Sequence, residues 1–425
     1  MTGPLSVGVV GAGTAGPAAA ILLARAGARV TLFERVAVPS PVGAGILLQP
    51  TGLAVLSRIG CLAPVLERGV PVDRLRGVAP SGRTVLDLAY RSRRADLAGL
   101  GVHRGSLFDA LWKALEPAGV DVRTGVEMDD LEAPVLAGFD LVVVADGARS
   151  KLRAAVGRVL RATSYPYGAL WFLGRDPERR FDGELFQVYR GARQMIGLLP
   201  TGCAPGDDTP LCSLFWSLPM AGPRGLEAVR AAGLEAWRRE ALSLCPRAEP
   251  LLAQVDDLEA LLAASYFDVV MERTVRLAAG RGPAAVVLGD AAHAMSPQLG
   301  QGANLALLDA AALADAVISG GALSNRGRLE PALRAYERAR HGPVRTYQRF
   351  SRWLTPIFQS DYDGLAAIRD LAFGPLCRVA PVRRLMLDAL CGVKTGLLTA
   401  AVPPRLALPG ADAEPTPPSC DARRR

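Results

Sequence analysis

At 425 residues, half of them apolar, the chain exceeds what one core usually organises, so two lobes with additions are expected. Seven cysteines without a C-x-x-C pair and only three histidines (His103, His293, His341) argue against a zinc site or a disulfide framework; no metal and reduced thiols are expected. The net charge of +8 rests on arginine rather than lysine and comes with no nucleic-acid-binding motif, so a nucleic-acid partner is not expected.

The N-terminus lacks a basic start and runs into a strand, Leu5 to Val10, so no signal peptide and a cytoplasmic location are expected. A turn, Gly11-Ala12-Gly13-Thr14-Ala15-Gly16, opens a helix to Ala26; Gly27 stops it, and a second strand runs from Arg29 to Glu34. This is a βαβ unit with G-x-G-x-x-G in its first turn. Gly11 permits the tight turn, Gly13 lets backbone approach a pyrophosphate, and Gly16 allows helix and strand to pack closely. Pro17 falls near the first helical turn, where a missing N–H matters little. Glu34, 23 positions after Gly11, stands where an acid accepts from a ribose 2′-hydroxyl. With Ala15 and Arg35 these residues form a candidate site for an adenosine diphosphate moiety.

Glycines and prolines then bracket a short apolar segment, Pro41 to Gly52, before a helix from Leu53 to Arg58. Alternation over 70–100 predicts antiparallel strands, a first visit to a second lobe. Arg104 precedes an amphipathic helix carrying Leu107, Leu111 and Leu115. A strand from Val120 to Arg123 leads to Leu141-Val142-Val143-Val144, which reads as a buried parallel strand ending at Asp146-Gly147. From Tyr165 to about Phe267 aromatics and alternation predict a mixed or antiparallel sheet, with Trp171, Tyr189, Phe215 and Trp216 as candidate pocket walls and a helix from Leu226 to Leu244.

The apolar run Ala284 to Leu288 ends at Gly289-Asp290; a loop with Pro297, Gly300 and Gly302 follows, and a helix starts near Ala303. A carboxylate at a strand end accepts from ligand hydroxyls, while a helix start offers N–H groups and partial positive charge to an anionic edge. A flavin's ribityl chain and N1/C2=O edge supply that pair, so the stretch reads as a flavin cradle. The helix from Ala303 to Ile318, interrupted by Asp309 and Asp315, is read as too short to span a bilayer, so no integral membrane segment is expected. From Arg326 to Arg352 eight arginines face Glu330 and Glu337, either a solvated face or an anion-attracting one. Further helices are expected between breaks at Pro356, Gly374-Pro375 and Pro381, then a disordered tail over 403–425.

The Gly-Asp stretch through Pro297, Gly300, Gly302 and Asn304, the Arg104 helix with its leucines, and the D-G-x-x-S-x-x-R run from Asp146 to Arg153 resemble, in order, the class A flavoprotein monooxygenases, such as para-hydroxybenzoate and salicylate hydroxylases. The resemblance implies an α/β fold: a discontinuous Rossmann-like FAD-binding domain (1–75, 101–163, 274–330), a mixed or antiparallel sheet domain for substrate (76–100, 164–273) and a helical region (331–402). It implies that Gly45 lies near the flavin, Leu47 or Gln49 on the substrate side, Arg104 and Asp146 at FAD, Pro297 against the ring, and Gly302, Ala303 and Asn304 at the reduced flavin's anionic edge.

The implied activity takes NADH or NADPH as transient donor and uses O2 to hydroxylate or epoxidise an aromatic or polycyclic substrate through a flavin C4a-hydroperoxide. No second G-x-G-x-x-G is present, which fits transient nicotinamide binding. Phenol activation by Tyr189 or Gln49 stays open, and His293 is read as a hydrogen-bonding scaffold. A reductase or dehydrogenase of the same fold, a flavin-dependent halogenase lacking its Trp-x-Trp-x-x-Ile-Pro signature, and a non-catalytic flavoprotein are the alternatives.

Overall fold

The structure, a computed structural model, describes residues 3–40, 43–278 and 282–406; Pro41, Val42 and most of the expected tail lie outside them. The glycine-punctuated N-terminus forms β1 (Ser6–Val10), α1 (Ala15–Arg25) and β2 (Arg29–Glu34). The chain crosses to a second sheet as β3 (Gly45–Leu48), returns through α2 (Pro50–Ile59) and α3 (Leu62–Arg68), and revisits it with β4 (Val70–Val78), β5 (Thr84–Ala89) and β6 (Gly99–His103). Next come α4 (Arg104–Lys113), β7 (Asp121–Thr124), β8 (Leu141–Val144) and α5 (Arg153–Val156). The second sheet is completed by β9 (Val159–Arg175), β10 (Gly183–Arg190), β11 (Gln194–Gly202), β12 (Leu211–Pro219), the helices α6 (Leu226–Ala232), α7 (Leu234–Leu244) and α8 (Glu249–Leu252), and β13 (Leu262–Met271). Last are β14 (Val275–Arg276), β15 (Ala284–Val287), α9 (Asp290–His293), α10 (Gly302–Ser319), α11 (Leu329–Phe358), α12 (Asp363–Arg378) and α13 (Ala380–Leu390).

The first sheet has six strands in the order β14-β15-β8-β1-β2-β7, parallel except at β14. Every residue of β1 and β8 is buried, the environment a continuous Val-rich run requires. α1 and α10 pack together over one face, and Phe33, Met128 and Leu131 help to fill the other. The second sheet has nine strands, β13-β9-β12-β11-β10-β4-β6-β3 with β5 on β4, antiparallel except between β10 and β4. This is the expected α/β architecture.

The details depart from expectation in several places. β3, the start of β4 and the end of β6 belong to the nine-stranded sheet, although residues up to 75 and from 101 were assigned to the first domain. Gly45 enters antiparallel register with His103 here, an excursion of one short strand that hydropathy does not mark. The helix expected over 226–244 is broken at Gly233, whose φ of 83° is left-handed territory. Pro356 and Pro375 lie inside α11 and α12 instead of ending them, the cost of each carried by the packed faces of those helices. α10 reaches 18 residues and is, among the described residues, the one helix long and apolar enough to cross a bilayer, yet 61% of it is buried inside the fold. The backbone carbonyls of Pro403 and Pro404, in the expected tail, each accept from Arg94 at 2.7 Å.

Candidate functional site

The first wall of the site is the β1–α1 turn. Gly11 has φ 103°, and a Cβ there would sit 2.5 Å from the Ala145 carbonyl; one on Gly16 would sit 1.9 Å from the Gly11 carbonyl. A Cβ on Gly13 would meet nothing within 4 Å, so the turn is open on its outer side. Ala15 is buried as the first residue of α1. At the end of β2 Glu34 accepts from Ala12 N–H at 2.8 Å and Val36 N–H at 2.9 Å, which fixes its carboxylate beside the glycine turn; Arg35 next to it is exposed.

Beyond this turn lie Arg104 and Asp146. Arg104, exposed at the first position of α4, lies across Gly43, where a Cβ would come within 2.8 Å of the guanidinium stem. Asp146 accepts from Lys151 N–H at 3.1 Å through one oxygen, while its other oxygen is buried and has no protein partner. Arg153 is buried and binds the carbonyls of Gly147, Ala148 and Ser150, and Ser150 Oγ accepts from its N–H at 3.0 Å. Ser150 and Arg153 therefore shape this turn, with burial pulling the Arg153 pKa down.

The loop from Gly289 to Asn304 folds back so that its two ends meet. Asp290 is exposed, and a Cβ on Gly302 would be 3.7 Å from its carboxylate, so the acid sits beside the start of α10. Gly300 takes the left-handed conformation after the Pro297–Leu299 turn. The Asn304 side chain is fully buried: it accepts from Gln49 N–H at 2.9 Å and donates to the Gly300 carbonyl at 3.1 Å. It ties β3 to the loop, so only its backbone is left for a ligand. A Cβ on Gly52 would be 2.1 Å from that amide, which requires glycine at 52.

Beneath the loop lies a buried network that the sequence did not reveal. Asp309 accepts from Gly289 N–H at 2.9 Å and Arg340 Nε at 2.7 Å, and lies 2.5 Å from His293 Nε2. Burial alone would raise the Asp309 pKa, but His293 and Arg340 outweigh it and hold the carboxyl down at about 2. His293 is 3% exposed and faces the core rather than the cleft, the position of a scaffold.

In front of the loop opens a chamber of about 600 Å³ between the two sheets and the C-terminal helices. Gly45, Leu47, Arg104, Asp290, Pro297, Gly300, Gly302 and Ala303 line one end. Its floor is one cross-strand row of the nine-stranded sheet: Leu262, Trp171, Phe215, Gly197, Gln187, Gly77 and Leu86 are successive partners. The row works because its two glycines leave room for rings. A Cβ on Gly197 would be 2.0 Å from the Phe215 ring, and one on Gly77 would be 2.5 Å from that of Tyr189. Phe350, Trp353, Leu354, Phe358, Phe373 and Met386 form the roof. Arg104 and Asp290 are the only charged residues of the lining among the described residues.

Of the pocket candidates, Leu47, Tyr189, Phe215 and Pro297 line this chamber, as does Trp171. Trp216 points to the opposite face, 6.4 Å from Trp237, as alternation along β12 demands. Gln49 is also absent from the chamber: it is fully buried, and its carbonyl accepts from Tyr90 Oη at 2.7 Å, so it cannot reach a substrate phenol. Tyr189 donates to Gln187 at 2.7 Å and is pressed between Phe358 and the buried Arg369; burial drives its pKa well above the ordinary phenol value. Burial likewise pushes Tyr266 up to about 12, so neither phenol serves as a base near neutrality. The roof was missed from sequence, although Phe350, Trp353, Leu354, Ile357 and Phe358 recur at helical spacing behind the arginine-rich half of α11.

An open glycine turn with an acid beside it, an unpartnered buried carboxylate oxygen at Asp146, and a carboxylate set against a helix start fit a dinucleotide with a polyol arm and an anionic ring edge. A sequence profile described as an FAD binding domain matches residues 4–136 and 246–351, and the chain belongs to that family. It is 31% identical to a 2-heptyl-3-hydroxy-4(1H)-quinolone synthase of Mycobacteroides abscessus, the match covering 81% of this chain and 88% of the relative. It is 32% identical to a kynurenine 3-monooxygenase of Salinispora arenicola over 78% of this chain and 75% of that one. The solved 2-methyl-3-hydroxypyridine-5-carboxylic acid oxygenase superposes with a TM-score of 0.70 at 25% identity, covering 91% of this chain and 96% of that one. Within the family the protein is a class A flavoprotein monooxygenase, an enzyme that uses FAD with NAD(P)H as electron donor.

Proposed function

We propose that the enzyme hydroxylates or epoxidises a neutral, largely apolar aromatic or polycyclic molecule held in the chamber. The carrying observation is that, among the described residues, the lining holds no charge beyond Arg104 and Asp290, which border the flavin end. A substrate carboxylate on the roof side would be desolvated without a counter-ion, at a cost of several kcal/mol. The quinolone synthase relative is named for a bicyclic product with a heptyl chain, a shape and polarity that suit these walls.

In this reading Gly11, Gly13, Ala15 and Gly16 cradle the pyrophosphate, Glu34 and Arg35 hold the adenosine end, and Arg104 and Asp146 bind along the dinucleotide. Asp290 takes the ribityl hydroxyls, Gly45 and Pro297 flank the ring, and Gly300 with the N–H groups of Gly302, Ala303 and Asn304 faces its anionic edge. When bound, FAD carries electrons from NAD(P)H to O2 so that one oxygen atom is delivered to the substrate and the other leaves as water. The chain's own part is placement. Leu47, Trp171 and Phe215 hold the substrate ring against the loop, and the roof of α11, α12 and α13 keeps water from the reacting atoms. The cytoplasm, with its reduced thiols, is the proposed location.

The test is anaerobic mixing of the FAD-loaded enzyme with NADH or NADPH, followed by flavin bleaching, in the presence of apolar or carboxylated aromatics. Apolar quinolone-like compounds should speed bleaching and yield, on admitting O2, a product one oxygen atom heavier. Equal acceleration by carboxylated rings such as 4-hydroxybenzoate would refute the neutral-substrate reading.

A further inference from the structure

α12 is built inside out. Of its two arginines, Arg378 is exposed at the last position, but Arg369 in the middle is 1% exposed and binds the carbonyls of Ile357 and Gly191 together with Asp370, while Ile368 and Leu371 are each 64% exposed. From Gly364 to Leu376 every exposed residue is glycine, proline or apolar: Leu365, Ala367, Ile368, Leu371 and Leu376 carry the face, and Val379 continues it. A helix that only had to cover the chamber would show water its polar side. A contiguous apolar face of this kind marks an interaction surface.

Its surroundings specify the partner. Arg378, Arg383 and Arg384 stand where α12 passes into α13, and among the described residues no carboxylate forms an ion pair with any of them. The acids at the other end are already engaged: Asp361 by Arg193 and Arg224, Asp363 by Arg193, Asp370 by Arg369. The face therefore has a cationic rim with no free anionic counterpart. A second copy, which must match this surface with itself, would bring to it no unpaired carboxylate for those arginines. Exposed aromatics, Tyr362 at 68% and Trp353 at 56%, stand at its borders, the residue types that favour a membrane–water interface. In α11 Arg334, Arg340 and Arg352 are paired with Glu330, Asp309 and Asp268; Arg338 and Arg349 are exposed, but they adjoin no comparable apolar face, since Trp353 is the one exposed large hydrophobic side chain of that helix.

We infer that the outer face of α12 with the start of α13 docks on an anionic lipid bilayer, its apolar side chains at the acyl boundary and its arginines at the headgroups. The position serves the chamber. Trp353 and Leu385 are exposed and also belong to the chamber lining, so the docking face adjoins the chamber's rim. An apolar substrate dissolved in the bilayer would meet the enzyme there; that last point rests on the substrate reading above, whereas the docking does not.

Sedimentation of the full-length, FAD-loaded protein with vesicles tests it without any turnover. Vesicles of phosphatidylcholine with phosphatidylglycerol should carry the protein down in a salt-sensitive way, and pure phosphatidylcholine far less. Ile368→Glu with Leu371→Glu, both outside the chamber lining, should lower the bound fraction about tenfold while flavin content and Tm stay at wild-type values. Arg383→Ser with Arg384→Ser should bring binding to the mixed vesicles down to the phosphatidylcholine level. Wild-type protein left in the supernatant with both vesicle types would overturn the proposal, as would undiminished binding by the double Glu variant. A dimer that this variant converts to monomer, with no vesicle binding, would instead assign the face to a second copy.

Discussion

Asp290 and Asp309 are both carboxylates of the flavin loop region, and their surroundings give them different work. Asp290 is exposed to the chamber and set against the start of α10, so its oxygens are available to a ligand. Asp290→Ala should leave the fold intact and weaken FAD binding about tenfold, read as a lower flavin-to-protein absorbance ratio after gel filtration. Full flavin occupancy would remove Asp290 from the site. Asp309 is 1% exposed and holds Gly289, His293 and Arg340. Asp309→Asn leaves the Arg340 guanidinium buried without its counter-ion and should cost about 3–5 kcal/mol in urea unfolding. Because the folded-state pKa of Asp309 lies at about 2, below the ordinary value of 3.8, its contribution is present above about pH 4 and is lost as the pH falls towards 2. That loss amounts to about 2 kcal/mol, and the Asn variant should lack this part of the acid sensitivity. Asp290 was legible because a Gly-Asp at a strand end has a chemical reason. Asp309 was not, since a lone acid in an apolar helix carries no sign of the Arg340 guanidinium and the His293 imidazole that fold against it from 31 residues away and from the preceding loop.

The elements that declared themselves were those whose local chemistry and tertiary role coincide. In β1, its turn and α1, Gly11 and Gly16 are required by close approach to the Ala145 and Gly11 carbonyls and Gly13 leaves the turn open, so the sequence pattern and the structure agree. The substrate sheet is different, because alternation gives two faces without saying which one meets the flavin loop. Trp171 and Phe215 face the chamber while Leu170 and Trp216 face α7, a choice made by where the two sheets dock. Glycine 197 settles how that floor is filled. A Cβ at this position would overlap the Phe215 ring at 2.0 Å, so Gly197→Ala should tilt the ring into the chamber. The expected cost is about 1–3 kcal/mol of stability, with a raised KM for substrate and unchanged FAD content, because no FAD element lies on β11. Unaltered KM with the same loss of stability would mean that Phe215 is core rather than floor. The prolines of α11 and α12 teach the same lesson in reverse: as local signals Pro356 and Pro375 predicted breaks, and the buried faces of the helices overrode them.

At the scale of the molecule, three separate stretches form the proposed flavin end, and a fourth, the C-terminal helices, closes the proposed substrate end. That division separates the effects of mutation. In the proposed binding mode FAD contacts come from the six-stranded sheet and its loops, with Gly45 from β3 and Arg104 from α4, whereas the roof side chains Phe350, Trp353, Phe358, Phe373 and Met386 come from α11, α12 and α13. A defect in the roof should therefore spare flavin binding and flavin reduction but let water reach the reacting atoms, so that electrons from NAD(P)H end in hydrogen peroxide instead of product. Phe373 is a suitable probe: it comes from α12, lines the chamber, and packs edge-on against Phe358 at 5.9 Å, so its loss opens the roof next to the ring that presses on Tyr189. Phe373→Ser should raise the peroxide formed per NAD(P)H oxidised several-fold and raise KM for an apolar substrate, at a stability cost of about 3 kcal/mol. Flavin content and the anaerobic bleaching rate at saturating substrate should match the wild type. If bleaching slowed in proportion to product loss while peroxide stayed at the wild-type yield, the roof would be governing reduction rather than excluding water, and the division of labour drawn from the two sheets would be wrong.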